Sequence, residues 1–103
     1  MNEVIHRNKD AIIEICRKHN IITLFLFGSA TSEDFTPGKS DIDLMVEFDS
    51  MKPGEHARQF FGFIEDMEYL LKHPVDVIES AGIKNPYFLK SVQESKELIY
   101  ARS

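Results

Sequence analysis

Hydrophobic residues recur at helical spacing in two segments of the chain. One stripe lies within residues 3–19 and comprises Val4, Ile5, Ala11, Ile12, Ile15 and Cys16. The other lies within residues 55–72 and comprises Ala57, Phe60, Phe61, Ile64, Met67 and Leu71, with Phe63 at its edge. Residues three and four positions apart share one side of an α-helix, so both segments predict amphipathic helices facing a core.

Three shorter segments follow the pattern of β-strands. Residues 21–27 form an apolar run too short for a helix, and Gly28-Ser29 ends it. In residues 41–48, apolar residues alternate with a mainly acidic set. Every second side chain of a strand points to the same face, so this alternation predicts a strand. The non-core face of that strand carries Asp41, Asp43, Met45 and Glu47. Residues 75–78 follow Pro74 and predict a third strand.

A last helix is expected after Asn85-Pro86, which resembles an N-cap followed by proline at the first helical position. Its predicted inner side is lined by Phe88, Val92, Ser95 and Ile99. Helices and strands thus alternate along a chain without repeats or long linkers. We predict one α/β (α+β) domain over residues 1–103, with a small mixed sheet of about three main strands packed by helices.

Composition narrows the function classes. The 103 residues carry a net charge of −5, and the lysines near the end, Lys84, Lys90 and Lys96, are few and spread out. Proteins that grip nucleic acid through phosphates show a basic face, so strong direct nucleic-acid binding is not expected. No apolar run approaches the roughly 20 residues that cross a bilayer. The single cysteine, Cys16, requires no oxidising compartment, and we expect a cytoplasmic protein.

Three aspartates on two predicted strands are the candidate chemical groups. Asp41 and Asp43 lie two residues apart and can point to the same face, and Asp76 interrupts an otherwise apolar strand. Carboxylates are ligands that Mg²⁺ accepts, and such a trio could hold two ions for phosphoryl or nucleotidyl transfer. Gly28 lets backbone approach a phosphate closely, and Ser29 can donate hydrogen bonds to its oxygens.

Simpler interpretations exist for each feature. An Asp-x-Asp pair met alone is usually the solvated face of a sheet, and Gly-Ser after a strand is usually a plain turn. The order of the features along the chain, with Asp76 in the third strand, favours a shared site. The four histidines have no metal-ligand spacing, so they are expected at the surface or in loops rather than at zinc: His6, His19, His56 and His73.

The combined pattern resembles the minimal nucleotidyltransferase domain of the DNA polymerase β superfamily. The resemblance rests on Phe27-Gly28-Ser29, on residues 40–48 and on residues 74–78, and it extends over nearly the whole chain. It implies the nucleotidyltransferase fold, ATP as substrate and two Mg²⁺ ions as cofactors. It also implies that Asp41 and Asp43 bind both ions, while Asp76 binds one and helps to deprotonate the attacking hydroxyl.

The same resemblance implies contacts to the triphosphate from Gly28 and Ser29, with Lys39 and Ser40 nearby. Many relatives carry arginine soon after Gly-Ser, where this chain has Ala30, so Lys39 or a partner would have to supply the missing charge. Small members of the family often act as antitoxins encoded beside a HEPN-domain ribonuclease, and some transfer AMP to a tyrosine of that toxin. The expected partner is therefore a HEPN-domain protein encoded nearby.

Two alternatives stay open on the sequence. The chain could be a nucleotide- or partner-binding module with little or no turnover that neutralises its partner by contact. It could also transfer a nucleotide to an RNA end, which the acidic charge disfavours.

Overall fold

The computed structural model describes residues 3–28, 41–80 and 96–102, together with Tyr87 and Lys90. The helices within these residues are α1 Glu3–Arg7, α2 Lys9–Lys18 and α3 Pro53–Leu71. The strands are β1 Ile21–Phe27, β2 Ile42–Phe48, β3 Val75–Glu79 and β4 Glu97–Ala101. Within the described ranges, no helix has both the length and the apolar composition needed to cross a bilayer.

The four strands form one mixed sheet in the order β3-β2-β1-β4. β1 pairs antiparallel with β2 on one side and with β4 on the other, whereas β2 and β3 run parallel. The predicted mixed sheet packed by helices is confirmed, with four described strands instead of about three.

The fourth strand corrects the prediction for the end of the chain. Ile99 was expected on a helix, but it lies in β4 and is 3% exposed. Its strand is held by hydrogen bonds to β1, a long-range partner that local periodicity does not reveal. Tyr87 and Lys90 have helical backbone. The other predicted helix residues lie outside the described part of the chain: Asn85, Pro86, Phe88, Val92 and Ser95.

The first predicted helix is two helices. α1 and α2 are separated at Asn8, whose side-chain Nδ2 donates a hydrogen bond to the carbonyl of Val4 at 2.8 Å. Asparagine side chains compete for backbone groups in this way and interrupt regular helices. Ile5, Ile12 and Cys16 are fully buried as the stripe predicted, but Ala11 is exposed, which corrects its assignment to the core side.

α3 is present, but its buried face is rotated from the predicted one. Phe63 is fully buried beside Met67, while Phe61 is 67% exposed and Ala57 is also exposed. With phenylalanine at three nearby positions, hydrophobicity alone leaves the orientation of this helix ambiguous, and packing against α2 and the sheet selects it. Tyr69, further along the helix, is 78% exposed.

The main core lies between the helices and one face of the sheet. Polar contacts near both ends of α3 hold this helix against β3. Near its C-terminus, Glu68 accepts a hydrogen bond from the backbone N–H of Val75 at 2.9 Å. Near its N-terminus, His56 Nε2 lies 2.7 Å from Glu79 Oε1. These two contacts hold β3 against the helix, which leaves the opposite face of the sheet to carry the candidate site.

Candidate active site

Asp43 and Asp76 lie directly opposite each other on neighbouring strands. They are paired in the parallel register of β2 and β3, so their side chains share a face of the sheet about 4.8 Å apart at the backbone. Asp41 precedes β2 and lies two residues before Asp43. This face of the sheet is opposite to the main core. Ile42 and Leu44, which alternate with Asp43 along β2, point to the other face and are fully buried in the core.

The negative charges of Asp76 and Asp41 act on Asp43. Burial raises the pKa of Asp43 above its ordinary value, and the negative charges of Asp76 and then Asp41 raise it further. Asp41 and Asp76 are exposed, while Asp43 is half-buried. Within the described part of the chain, none of the three forms an ion pair.

The donor set suits a hard divalent cation, although it does not form a closed cage. Among the described residues, no three His, Cys, Asp or Glu side chains lie close enough to hold a metal ion between them. Mutually repelling carboxylates do not converge by themselves. Mg²⁺ needs only one or two protein carboxylates and completes its octahedron with water and substrate phosphates. Asp41, Asp43 and Asp76 therefore fit Mg²⁺ by their chemistry.

The end of β1 lies against this acidic group. Phe27 is the register partner of Asp43, and the next residue, Gly28, has a φ of +71°. A Cβ at position 28 would stand 2.6 Å from Asp43 Oδ2, which is a collision. The positive φ favours glycine here, and any larger residue would also have to turn the Asp43 carboxylate aside. The predicted nucleotide contacts Ser29, Lys39 and Ser40, and Ala30, lie outside the described residues.

Other chemically interesting side chains have structural surroundings. Cys16 is fully buried, and burial raises the pKa of its thiol to about 12, which agrees with its interpretation as a small core residue. His19 corrects the expectation of surface histidines, because it is 5% exposed. Its Nδ1 lies 2.6 Å from Gln59 Oε1 and its Nε2 lies 2.7 Å from Asp66 Oδ2. It links the end of α2 to α3.

One feature of the site face escaped the sequence interpretation. A cavity of about 330 Å³ opens on the same face as the carboxylates, beside Phe25 and Met45, and Lys96 lies at its rim. Lys96 directly precedes β4, and its Nζ lies 4.5 Å from the centre of the Phe25 ring. Only the pairing of β4 with β1 brings these residues together.

Comparison with known sequences assigns the chain to one class of protein. The sequence profile of the nucleotidyltransferase domain matches residues 9–99, and the chain belongs to this family of enzymes that act on nucleotides. Two curated relatives from Methanocaldococcus jannaschii are 34% and 33% identical over 100 residues, covering 97% of this chain and 93% of each relative. Both are provisionally named protein adenylyltransferases.

Solved structures agree on the fold. A structure provisionally described as a minimal nucleotidyltransferase has a TM-score of 0.67 and 25% identity, with 92% of each chain covered. A structure of the tri-AMPylated HEPN toxin of Shewanella oneidensis in complex with its MNT antitoxin contains a chain with a TM-score of 0.62 and 17% identity. That match covers 94% of this chain and 72% of the other. A toxin–antitoxin structure with AMP-PNP matches with a TM-score of 0.68 and 18% identity, covering 92% and 74%.

Proposed function

We propose that this protein is a Mg²⁺-dependent adenylyltransferase that transfers AMP from ATP to a tyrosine hydroxyl of a partner protein in the cytoplasm. We further propose that the partner is a HEPN-domain ribonuclease encoded nearby and that the modification makes this protein its antitoxin. Support comes from the provisional names of the curated relatives and from the fold shared with the complex that contains a tri-AMPylated HEPN toxin.

The observation that carries the proposal is the pairing of Asp43 with Asp76 next to Gly28. Three carboxylates grouped at one end of a sheet raise the local negative potential, and a protein gains nothing structural from that repulsion. Grouped acids beside a turn that lacks a side chain suit the binding of cations together with a polyphosphate.

The three aspartates and Gly28 would divide the work of the proposed reaction between them. Asp41 and Asp43 would hold both Mg²⁺ ions and Asp76 one of them; the bound ions would neutralise the charge of the triphosphate. Gly28 leaves room for the phosphates beside Asp43. The tyrosine oxygen attacks the α-phosphorus, its proton passes to the exposed carboxylate of Asp76, and the bond to the β-phosphate oxygen breaks to release pyrophosphate.

Labelling with α-³²P-ATP tests the proposal. The protein is incubated with Mg²⁺, the labelled nucleotide and the purified product of the neighbouring gene, and the same reaction is run with the Asp41→Ala/Asp43→Ala variant. We expect label on a tyrosine of the partner with the wild type and at least a hundredfold less with the variant, the scale of losing groups that act on the reacting phosphate. Asp10→Ala changes an exposed acid on α2 and should retain full labelling.

The remaining outcomes separate the alternatives. Absence of label on the partner, with neutralisation intact in the double variant, would identify a contact-only antitoxin. Label on added RNA would identify nucleotide transfer to RNA. Unfolding midpoints should be nearly unchanged in the double variant, because removal of clustered negative charge relieves repulsion in the folded state.

A further inference from the structure

The cavity beside the carboxylates has an apolar floor and a charged rim. Phe25 and Met45 form the floor, and they belong to a small apolar cluster with Phe27 and Ile78. The rim carries polar or charged side chains from all parts of the sheet: Thr23, Glu47, Ser80 and Lys96. A volume of about 330 Å³ accommodates one large side chain with room for adjoining backbone.

The cavity is continuous with the candidate active site along β2. Asp43, Met45 and Glu47 point to the same face at successive alternate positions, and each step along a strand of this kind spans roughly 6.5–7 Å. The cavity therefore begins one such step from Asp43 and extends over the sheet, away from Gly28. Gly28 follows the last residue of β1, so it lies on the other side of the carboxylates from the cavity.

The direction of the reaction decides which substrate approaches over the cavity. In an in-line displacement, the attacking oxygen and the leaving pyrophosphate lie on opposite sides of the phosphorus. If the phosphates lie at the Gly28 turn, the acceptor hydroxyl must reach the carboxylates from over the sheet. The cavity lies on that path.

The rim charges distinguish a polypeptide from a nucleobase as the occupant. Glu47 and Lys96 flank an apolar floor, and within the described part of the chain neither forms an ion pair. An uncharged base would leave Glu47 without a partner of opposite charge and Lys96 with the Phe25 ring alone. A polypeptide segment can place an apolar side chain on the floor and an opposite charge on either side of it.

We propose that this cavity is the acceptor-recognition site, which binds the polypeptide segment next to the hydroxyl that receives AMP. An apolar or aromatic side chain of the segment packs on Phe25 and Met45, an acidic residue pairs with Lys96, and a basic residue pairs with Glu47. The inference rests on the proposed transfer to a protein, and it identifies Glu47 and Lys96 as specificity-determining residues outside the group that handles the nucleotide.

Steady-state labelling with the variants Lys96→Glu and Glu47→Lys tests the proposal. The product of the neighbouring gene is varied at saturating ATP, and ATP is then varied at fixed partner concentration. For each variant we expect the half-saturating partner concentration to rise roughly tenfold, the effect of replacing attraction by repulsion at an interface rim. The maximal rate and the half-saturating ATP concentration should change less than about twofold, since neither residue contacts the nucleotide.

Lys52→Glu is the matched control, because it makes the same charge change at an exposed residue that precedes α3, on the other side of the sheet. It should leave all constants unchanged. A rise in the half-saturating ATP concentration would overturn the proposal and assign the cavity to the nucleotide base. Unchanged constants in both rim variants would also overturn it while leaving the proposed transfer intact. Failure of the wild type to label the partner would instead refute the transfer and this inference together.

Discussion

The absence of a side chain at position 28 allows the end of β1 to lie against Asp43. Gly28→Ala would add a Cβ 2.6 Å from Asp43 Oδ2 at a backbone φ of +71°. The left-handed conformation costs an L-residue about 1–2 kcal/mol, and the collision adds to it. We expect the free energy of unfolding, measured with urea, to fall by about 1–3 kcal/mol, and partner labelling to be lost because the carboxylate is displaced.

Gly54→Ala provides the comparison for that substitution. An added Cβ at position 54 meets no atom within 4 Å, and the residue lies in the first turn of α3. Alanine favours the helix, so this variant should be equally stable or more stable by up to about 1 kcal/mol, with normal labelling. Equal behaviour of the two variants would contradict the close approach at Gly28.

At the scale of elements, a buried histidine joins α2 to α3. Hydrogen bonds from His19 and then from Lys18 hold the pKa of Asp66 below its ordinary value. Asp66→Ala leaves the imidazole of His19 without this partner and should cost about 1–2 kcal/mol of unfolding free energy at pH 7. Glu14→Ala, which removes an exposed pair with Arg17, should cost less than about 0.5 kcal/mol.

The contribution of Asp66 should depend on pH in a defined direction. Because its pKa is lowered on folding, the stabilisation is present above the unfolded-state value of about 3.9 and is lost as the pH falls through the lowered folded-state value. Urea unfolding of the wild type and of Asp66→Ala should therefore differ at pH 7 and converge below about pH 4. A constant difference across this range would exclude the ionised carboxylate as the source.

The orientation of α3 is tested by its two contrasting phenylalanines. Phe63 is fully buried, so Phe63→Ala should remove about 3–5 kcal/mol of stability, and the milder Phe63→Leu about 1 kcal/mol. Phe61 is 67% exposed, and Phe61→Ala should change stability by about 0.5 kcal/mol or less. Thermal unfolding of the three variants measures the order of these losses in stability. A larger loss for Phe61→Ala would restore the predicted helix face.

At the scale of the whole molecule, β4 completes the sheet and covers one side of β1. Ile99 is 3% exposed and Leu98 is 51% exposed, as expected for adjacent residues on opposite faces of a strand. Ile99→Ala should lower the free energy of unfolding by about 2–4 kcal/mol, and Leu98→Ala by less than about 1 kcal/mol. Similar losses from both changes would argue against the strand assignment.

Much of the fold was predictable because several segments carry a strong local signal. Residues 21–27 and 75–78 form strands as predicted, since apolar β-formers are bounded there by Gly28-Ser29 and by Pro74. The alternation of acidic and apolar residues in the second strand also predicted that Asp43 and Met45 lie on the same face of the sheet. The roles of the predicted site residues stay predictions, and the labelling experiments test them. The extent of the domain over residues 1–103 also stays a prediction.

Local pattern thus determined the type of most elements, the acidic face and the resemblance to nucleotidyltransferases, because periodicity and short motifs are properties of neighbouring residues. Tertiary structure alone decided the strand at Ile99, the burial of Phe63 and His19, and the meeting of Phe25 with Lys96. Each of these depends on a partner far along the chain. Pairing and packing energies between distant segments select among conformations that the local sequence leaves nearly equal.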